Sequence, residues 1–217
     1  MWTIVVAAGT GSRFGSELPK QFHRVAGRRI VDWAAAAAAS TSDGVVVVMP
    51  PTGDFDPPST SATPLITVPG GASRSESVRC GLDALPADAA IVLVHDAARP
   101  VATPGLFERV AGAIVAGADG AIPVVPVVDT LRTVDGEPVD RAGLVAVQTP
   151  QGFTVEALRR AHSGGDDATD DATLVTKVGG RVVTVPGERW NLKVTDPTDE
   201  AIVAAVLADP DRTEDQP

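Results

Sequence analysis

The order of hydrophobic and polar positions along the chain predicts strands that alternate with helices. Strands are predicted at 3–8, 44–49, 65–68, 89–94, 120–128, 181–185 and 191–195, and helices at 30–41, 73–85, 103–116, 154–162, 170–178 and 196–207. The strand at 44–49 is continuously apolar, which is typical of a parallel sheet that is covered on both faces. The alternation therefore predicts an α/β fold with a mostly parallel, twisted sheet and helices on both of its faces.

Local signals mark where several of these elements begin or break. Ser73 and Glu76 have the spacing of a capping box, and Thr103 and Asp196 each precede a proline at a first helical position. Residues 50–64 contain five prolines and are predicted to form a loop. The two prolines within 120–128 predict that this strand lies partly at a sheet edge or is bulged.

Residues 129–149 form a segment of different character, which we call the arm. Asp135-Gly136 stands between TLRTV and EPV and predicts a tight hairpin. The apolar residues of the arm need a packing partner. A second subunit and the chain's own domain both satisfy that need, and the residues leave the choice open.

Composition and charge limit the classes of protein that are possible. The chain has 217 residues, so we expect one α/β domain over 1–208 and a disordered acidic tail at 209–217. The net charge of −10 argues against nucleic-acid binding, but 164–171 carry −4 and 209–217 carry −3. A basic pocket for an anionic substrate is therefore compatible with the total charge.

The expected location is the cytoplasm. No apolar run approaches the roughly 20 residues that a membrane-spanning helix needs, and no basic segment of a secretion signal precedes the first strand. The single cysteine, Cys80, excludes an internal disulfide and a cysteine zinc site. No second enzymatic domain is indicated.

A glycine loop follows the first strand and points to phosphate binding. Its sequence runs from Ile4 to Gly15, IVVAAGTGSRFG, and PKQ follows at 19–21. A dinucleotide fingerprint would need glycine in place of Phe14, and a Walker A loop would need lysine in place of Ser16. Backbone N–H groups beside Gly9 and Gly11 can line an anion site, with Arg13 and Lys20 as the cations. An ordinary glycine turn at a strand end is the alternative.

Two further groups of polar residues also follow predicted strands or lie in one. They are HDAAR at 95–99 and NLKVT at 191–195. Ligands of parallel sheets bind outside the carboxyl ends of the strands, so the three groups predict one shared site. Taken singly, Asp96 equally suits a turn, and the acidic run at 166–171 suits a solvated helix start. His95 is expected to be structural, and His23 and His162 to lie at the surface; no zinc-binding spacing is present.

Eight short segments together resemble one known family. In chain order they are AAGxGxR (7–13), PKQ (19–21), GGxxRxxSV (70–78), VHDAARP (94–100), DT (129–130), QTPQGF (148–153), DDA (170–172) and LKVT (192–195). The set resembles the 2-C-methyl-D-erythritol 4-phosphate cytidylyltransferases, for which VHDAARP and QTPQGF are the most specific. Ribitol 5-phosphate cytidylyltransferases share much of the pattern, so that activity is an alternative, as is a nucleotide-binding regulatory module without turnover.

The resemblance implies a Rossmann-like nucleotidyltransferase fold with a protruding β-arm at 129–149. It implies transfer of CMP from CTP to the substrate phosphate by in-line attack, with release of pyrophosphate. Mg²⁺, or another divalent cation, is expected to be held mainly by the triphosphate oxygens. The expected assembly is a homodimer with exchanged arms and a shared active site, without nucleic-acid or membrane partners.

The resemblance also assigns roles to individual residues. Catalysis falls to Arg13, Lys20, Arg141 and Lys193. CTP binding falls to Ala7, Ala8, Gly9, Gly11, Arg13, Lys20, Gly71, Ser77, Asp96 and Ala97. Substrate binding falls to Asp96, Arg99, Thr130, Arg141, Thr149, Thr173 and Lys193, with Thr130 and Arg141 reaching into the neighbouring subunit. The chain departs from the family pattern at Ala72, where many relatives have an acidic residue, and at Val6, where proline is usual.

Overall fold

The structure is a computed structural model that describes residues 1–9, 18–60 and 62–209. Its strands are β1 (Trp2–Val6), β2 (Arg24–Val25), β3 (Arg28–Arg29), β4 (Gly44–Met49), β5 (Leu65–Pro69), β6 (Ile91–Asp96), β7 (Gly120–Pro126), β8 (Leu131–Arg132), β9 (Pro138–Val139), β10 (Val145–Val147), β11 (Gln151–Thr154) and β12 (Val182–Pro186). Its helices are α1 (Ile30–Ala39), α2 (Arg74–Asp83), α3 (Pro104–Val115), α4 (Val155–His162), α5 (Asp171–Lys177) and α6 (Pro197–Ala208). None of the helices in these ranges is both long and apolar enough to cross a membrane.

Eight strands form a central sheet in the order β10-β7-β11-β6-β1-β4-β5, with β12 also paired to β7. The pairs of β1 with β4 and β6, of β4 with β5, and of β7 with β12 are parallel. Strands β10 and β11 run antiparallel to their neighbours. The predicted mostly parallel sheet is therefore confirmed.

Helices cover both faces of the sheet, and β4 shows why. All six residues of β4 are buried. Because side chains alternate along a strand, Val45 and Val47 pack in a cluster with α1 and α3, whereas Val46 and Val48 pack with α2 and α4. This arrangement is the reason for the continuously apolar sequence at 44–49.

The predicted helix starts and the proline-rich loop are confirmed. Side-chain oxygens of Ser73, Thr103 and Asp196 cap α2, α3 and α6. Over the described residues of 50–64 the chain forms neither helix nor strand. These features depend on residues close together in the chain, so local sequence is sufficient to predict them.

The structure changes two strand predictions. Strand β7 does not lie at an edge of the sheet, because β12 pairs along one side while β11 and β10 pair with its two ends on the other; the alternative of a bulge stays a prediction. Pro123 lies between those two partners and accepts a bond from the Gln148 N–H. Residues 191–195 form no strand; side-chain hydrogen bonds of Asn191 and Thr195 hold them instead.

The arm leaves the sheet after β7 and contains the predicted hairpin. Strands β8 and β9 pair antiparallel, and Gly136 turns the chain with φ of 92°. From 129 to 147 every residue is exposed except Leu131 and Val139, which are half-buried. The apolar Val134 and Val145 are 104% and 50% exposed, so the arm packs little of its apolar surface on its own chain.

Candidate active site

A cavity of about 810 Å³ lies at the carboxyl ends of β1, β4, β5 and β6. The described residues that line it include Ala7–Gly9, Pro19–Gln21, Pro50–Gly53, Phe55, Gly71–Arg74, Ser77, Asp96–Ala98, Lys193 and Thr195. The structure therefore brings the three predicted polar groups to one place. The first two groups meet there because β1 and β6 are parallel and end at the same edge of the sheet. The third group, 191–195, forms no strand, and hydrogen bonds to distant elements bring it to the cavity.

A single 3-10 turn, Lys20–Phe22, positions both a cation and the start of the glycine loop. Lys20 Nζ donates to the Val194 carbonyl at 2.7 Å. The buried Gln21 amide donates to the carbonyls of Ala7 and Gly9 at 2.6 and 2.8 Å. Phe22 stacks on Phe55 with ring centroids 4.1 Å apart. Gln21 has no role in the sequence assignment, although the PKQ segment contains it.

Asp96 and Lys193 form an ion pair at the cavity. Lys193 Nζ lies 2.6 Å from Asp96 Oδ2, and Arg74 Nε lies 3.6 Å from Asp96 Oδ1. Burial by itself raises the pKa of Asp96, but Lys193 and then Arg74 outweigh it and hold that pKa well below its usual range. Asp96 is therefore a carboxylate throughout the neutral pH range.

Two buried side chains support Asp96 from behind. The Thr149 hydroxyl accepts from the Asp96 N–H at 3.0 Å and lies 3.2 Å from His95 Nδ1. His95 Nε2 lies 3.1 Å from the Arg99 carbonyl, which can only accept, so Nε2 is the protonated nitrogen. Burial lowers the pKa of His95 to about 4, so the ring is neutral. His95 is structural, as predicted.

Arg74 links the cavity to α5. Its Nη1 donates to the buried Asp171 at 2.8 Å, and His162 Nε2 lies 2.9 Å from the other oxygen of the same carboxylate. The prediction that His162 lies at the surface is therefore wrong, because its side chain is 3% exposed. The prediction that the acidic run at 166–171 is solvated is wrong at Asp171, whose side chain is 0% exposed. Helical spacing could not reveal this, because Arg74 is 97 residues from Asp171.

A group of buried amides holds the segment that carries Lys193. The Gln148 side chain exchanges hydrogen bonds with the backbone of Glu188 in both directions. Asn191 Nδ2 donates to the Thr149 carbonyl at 2.9 Å, and Arg99 donates to the Asn191 carbonyl at 2.7 Å. Val194 is fully buried against α6, so Lys193 and Thr195 flank an anchored residue.

The loop after β5 supplies backbone to the opposite wall. Gly70 allows close approach, because a Cβ there would lie 2.3 Å from the Ala8 Cβ. The Gly71 N–H donates to the Ser77 hydroxyl at 3.2 Å. The Ala72 N–H donates to Glu76 Oε2 at 2.7 Å, so the capping carboxylate bonds one residue earlier than a capping box requires.

Several residues assigned by resemblance do not line the cavity. Arg99 and Thr149 lie behind its wall, and Thr173 is exposed on α5. Thr130 and Arg141 lie on the arm, where Arg141 Nη1 donates to the Val128 carbonyl. Gly11 and Arg13 lie outside the described residues, and so does the predicted tail beyond Asp209.

The residues that line the cavity are compatible with a metal ion that is bound mainly by the phosphates of a ligand. Asp96 is the only carboxylate among the described lining residues, and it is already paired with two cations. Over the described ranges, no group of three or more His, Cys, Asp or Glu side chains could hold a metal ion. Mg²⁺ is commonly bound through one or two carboxylates together with substrate phosphates, which is compatible with this lining.

Solved structures with the same fold identify the class of protein. The crystal structure of the 2-C-methyl-D-erythritol 4-phosphate cytidylyltransferase from Thermus thermophilus matches with a TM-score of 0.80 and 35% identity, over 94% of this chain and 97% of that one. The bifunctional IspDF from Campylobacter jejuni matches with a TM-score of 0.78 and 27% identity, over 92% of this chain and 53% of that one. The fold is that of an α/β nucleotidyltransferase.

The family follows from the sequence match. The model of the 2-C-methyl-D-erythritol 4-phosphate cytidylyltransferase (IspD) family matches residues 1–209, and the chain belongs to this family. The cytidylyltransferase of Saccharopolyspora erythraea is 42% identical over 219 residues, covering 94% of this chain and 98% of its own length. The bifunctional enzyme IspD/IspF of Solidesulfovibrio magneticus is 44% identical over 231 residues, covering 97% of this chain. The chain spans 58% of that bifunctional relative.

Proposed function

We propose that the chain transfers CMP from CTP to 2-C-methyl-D-erythritol 4-phosphate, giving 4-diphosphocytidyl-2-C-methyl-D-erythritol and pyrophosphate. Membership of the family supports this activity. The observation that carries it is the convergence of Lys20, Asp96 and Lys193 on one cavity beside the glycine-loop residues Ala7–Gly9. Two lysines there suit a reaction between two phosphate groups.

The reaction is a direct displacement at phosphorus. An oxygen of the substrate phosphate attacks the α-phosphorus of CTP and forms the new P–O bond. The bond from the α-phosphorus to the bridging oxygen breaks on the opposite side, and pyrophosphate leaves with the electron pair. No covalent intermediate on the protein is needed. The task of the chain is to hold two anions together and to stabilise the charge that develops between them.

The nucleotide side of the cavity is built mostly from backbone. The triphosphate is surrounded by Ala7, Ala8 and Gly9, together with Gly11 of the same loop. Lys20 and Arg13 stabilise the negative charge of the transition state and of the leaving pyrophosphate. Gly71, Ser77 and Ala97 contact the base and ribose. The bond that Lys20 makes to the Val194 carbonyl keeps its ammonium beside the segment that carries Lys193.

The substrate side centres on Asp96 and Lys193. Lys193 binds the substrate phosphate, and its 40% exposed side chain leaves the ammonium accessible. Asp96 accepts hydrogen bonds from substrate hydroxyls, because its carboxylate stays ionised. Thr149 and Arg99 act from behind the wall, and Thr173 stays a prediction. When bound, Mg²⁺ would neutralise charge on the triphosphate, and Asp96 is the carboxylate of the described cavity lining that could help to hold it.

The remaining substrate contacts are proposed to come from a second copy of the chain. Thr130 and Arg141 lie on an arm whose apolar side chains are exposed, as expected of a surface that another subunit covers. In a homodimer with exchanged arms, Arg141 would hold the substrate phosphate opposite Lys193. The cytoplasmic location and the single domain over 1–208 stay predictions from the sequence.

The test is pyrophosphate release by the purified full chain with CTP and Mg²⁺. Three parallel reactions contain methylerythritol phosphate, ribitol 5-phosphate or no acceptor, and a Lys20→Ala variant serves as the control. We expect release that depends on methylerythritol phosphate and on Lys20. Faster release with ribitol 5-phosphate would assign the sister activity. CTP binding by calorimetry without any release would instead indicate a binding module and contradict the proposal.

A further inference from the structure

Arg74 contacts two carboxylates that belong to different parts of the fold. It is the first residue of α2 and lines the cavity. Its Nη1 lies 2.8 Å from Asp171 Oδ2, and its Nε lies 3.6 Å from Asp96 Oδ1. The side chain is only 24% exposed, so solvent screens these contacts weakly.

The contact with Asp171 fixes the direction of the guanidinium. Asp171 is fully buried at the start of α5, and His162 lies against its second oxygen at 2.9 Å. Both oxygens of the carboxylate are therefore engaged, one by Arg74 and one by His162. Because a guanidinium is a rigid planar fork, anchoring one edge on Asp171 directs the other edge toward Asp96.

The Asp96 carboxylate is expected to depend on Arg74 when substrate is bound. In the described structure its other close cation is Lys193, at 2.6 Å. The proposed reaction assigns Lys193 to the substrate phosphate, and an ammonium shared with a phosphate holds Asp96 less firmly. Arg74 contacts Asp96 from a different element and is anchored independently of the segment that carries Lys193.

We propose that Arg74 is a positioning residue: anchored by Asp171 and His162, it holds the Asp96 carboxylate in place while Lys193 engages the substrate phosphate. The assignment of Asp96 and Lys193 to substrate rests on the proposed function. The contact between Arg74 and Asp96 does not rest on the proposed function, and it can be measured without any turnover. Arg74 thereby ties α5, on one face of the sheet, to the cavity at the strand ends.

A purely structural role makes a different prediction. If Arg74 served only to neutralise the buried Asp171, then Asp171→Asn should remove the need for it. The decisive comparison is therefore among Arg74→Gln, Asp171→Asn and the double variant Arg74→Gln/Asp171→Asn. Arg79→Gln is the matched control, because Arg79 lies on the same helix, contacts the Asp166 carbonyl and does not line the cavity.

We expect Arg74→Gln to lose both thermal stability and activity, since it leaves a buried carboxylate without its cation. The double variant should regain stability but keep a loss of about 10- to 100-fold in kcat/KM for the acceptor, the size expected when a reacting group is misplaced. Arg79→Gln should match the unmodified chain. Full kcat and KM in a folded double variant would overturn the proposal.

Two further measurements decide the cases that this comparison leaves open. Arg74→Lys keeps the charge but cannot bridge both carboxylates, so it should fold and lose activity about tenfold. If the double variant does not fold, this lysine variant decides the question, and unchanged activity in it would overturn the proposal. The carbon-13 NMR shift of the Asp96 carboxyl at neutral pH, where the chain is folded, reports the contact without turnover. This shift should move in the double variant, and an unmoved shift would contradict the proposal even if no pyrophosphate is released.

Discussion

Lys193 Nζ lies 2.6 Å from Asp96 Oδ2, although the two residues are 97 positions apart in the chain. Asp96 ends β6, and Lys193 belongs to an irregular segment that the buried Val194 and the amides of Gln148 and Asn191 anchor. The pair places one fixed anion and one accessible cation side by side in the cavity. Such a pair can bind the hydroxyls and the phosphate of one polyol phosphate.

Removing the ammonium of this pair should impair substrate use. We expect Lys193→Ala to lower kcat/KM for the acceptor by about 10²–10³, the usual effect of losing one charged contact to the transition state. Steady-state pyrophosphate release measures the effect. Lys177→Ala is the control, because Lys177 is an exposed lysine paired with Asp166 outside the cavity, and it should leave kcat/KM unchanged. Equal losses in both variants would count against the site.

Lys20 should matter more for turnover than for nucleotide affinity. We expect Lys20→Ala to lower kcat by about 10²–10³, while the Kd for CTP changes much less, because the charge acts mainly on the transition state. Calorimetry with CTP and single-turnover kinetics separate the two quantities. A large loss of CTP affinity with unchanged kcat would contradict this role.

Gln21 should hold the glycine loop in place. Gln21→Ala leaves the carbonyls of Ala7 and Gly9 without their donor, at a cost of about 1–3 kcal/mol in the free energy of unfolding. We also expect the KM for CTP to rise, which kinetics at varied CTP will measure. Gln21→Glu keeps the shape but replaces the donor with oxygen, so it should be at least as harmful as alanine. A Gln21→Glu variant with normal stability and normal KM would show that the bonds do not position the loop.

His95 should make folding stability depend on pH. Burial lowers its pKa from 6.5 to about 4, so between these values the unfolded chain binds a proton that the folded chain excludes. Stability is therefore full above about pH 6.5 and falls toward pH 4, by about 2 kcal/mol at pH 5. Urea unfolding across this range measures the slope, and His95→Gln should reduce it. Asp96 loses its own contribution to folding stability only below its ordinary pKa, because there the unfolded carboxyl takes up a proton that the folded one, with its lowered pKa, does not.

The proposed sharing of the active site between two subunits predicts complementation between two inactive chains. We expect Arg141→Ala and Lys20→Ala homodimers each to be inactive, because each lacks one part of both sites. A mixed dimer contains one site with neither change, so the purified mixed dimer should have about half of the unmodified activity, and a random mixture of the two chains about a quarter. Differently tagged chains allow the mixed dimer to be purified and assayed. An inactive, verified mixed dimer would show that Arg141 does not act across the interface.

Much of the fold could be predicted because it depends on short stretches of chain. The run at 44–49 predicts a buried strand because both faces of β4 pack on helices. Ser73, Thr103 and Asp196 predict helix starts because the bonds they accept come from residues two or three positions on. The apolar and β-branched residues within 191–195 predict a strand, but hydrogen bonds to distant elements hold this segment in an irregular path; the Arg99 side chain, for example, donates to the Asn191 carbonyl.

The sequence by itself determined the family, the alternation of strands and helices, and the presence of Lys20, Asp96 and Lys193 near strand ends. Only the tertiary structure decided which groups touch. Lys20 bonds to a carbonyl 174 residues away, and Arg74 lies between Asp96 and the buried Asp171. Hydrophobic periodicity reports which face of an element is buried. It carries no information on which charges meet at the edge of the sheet, because sheet order and loop paths set those distances.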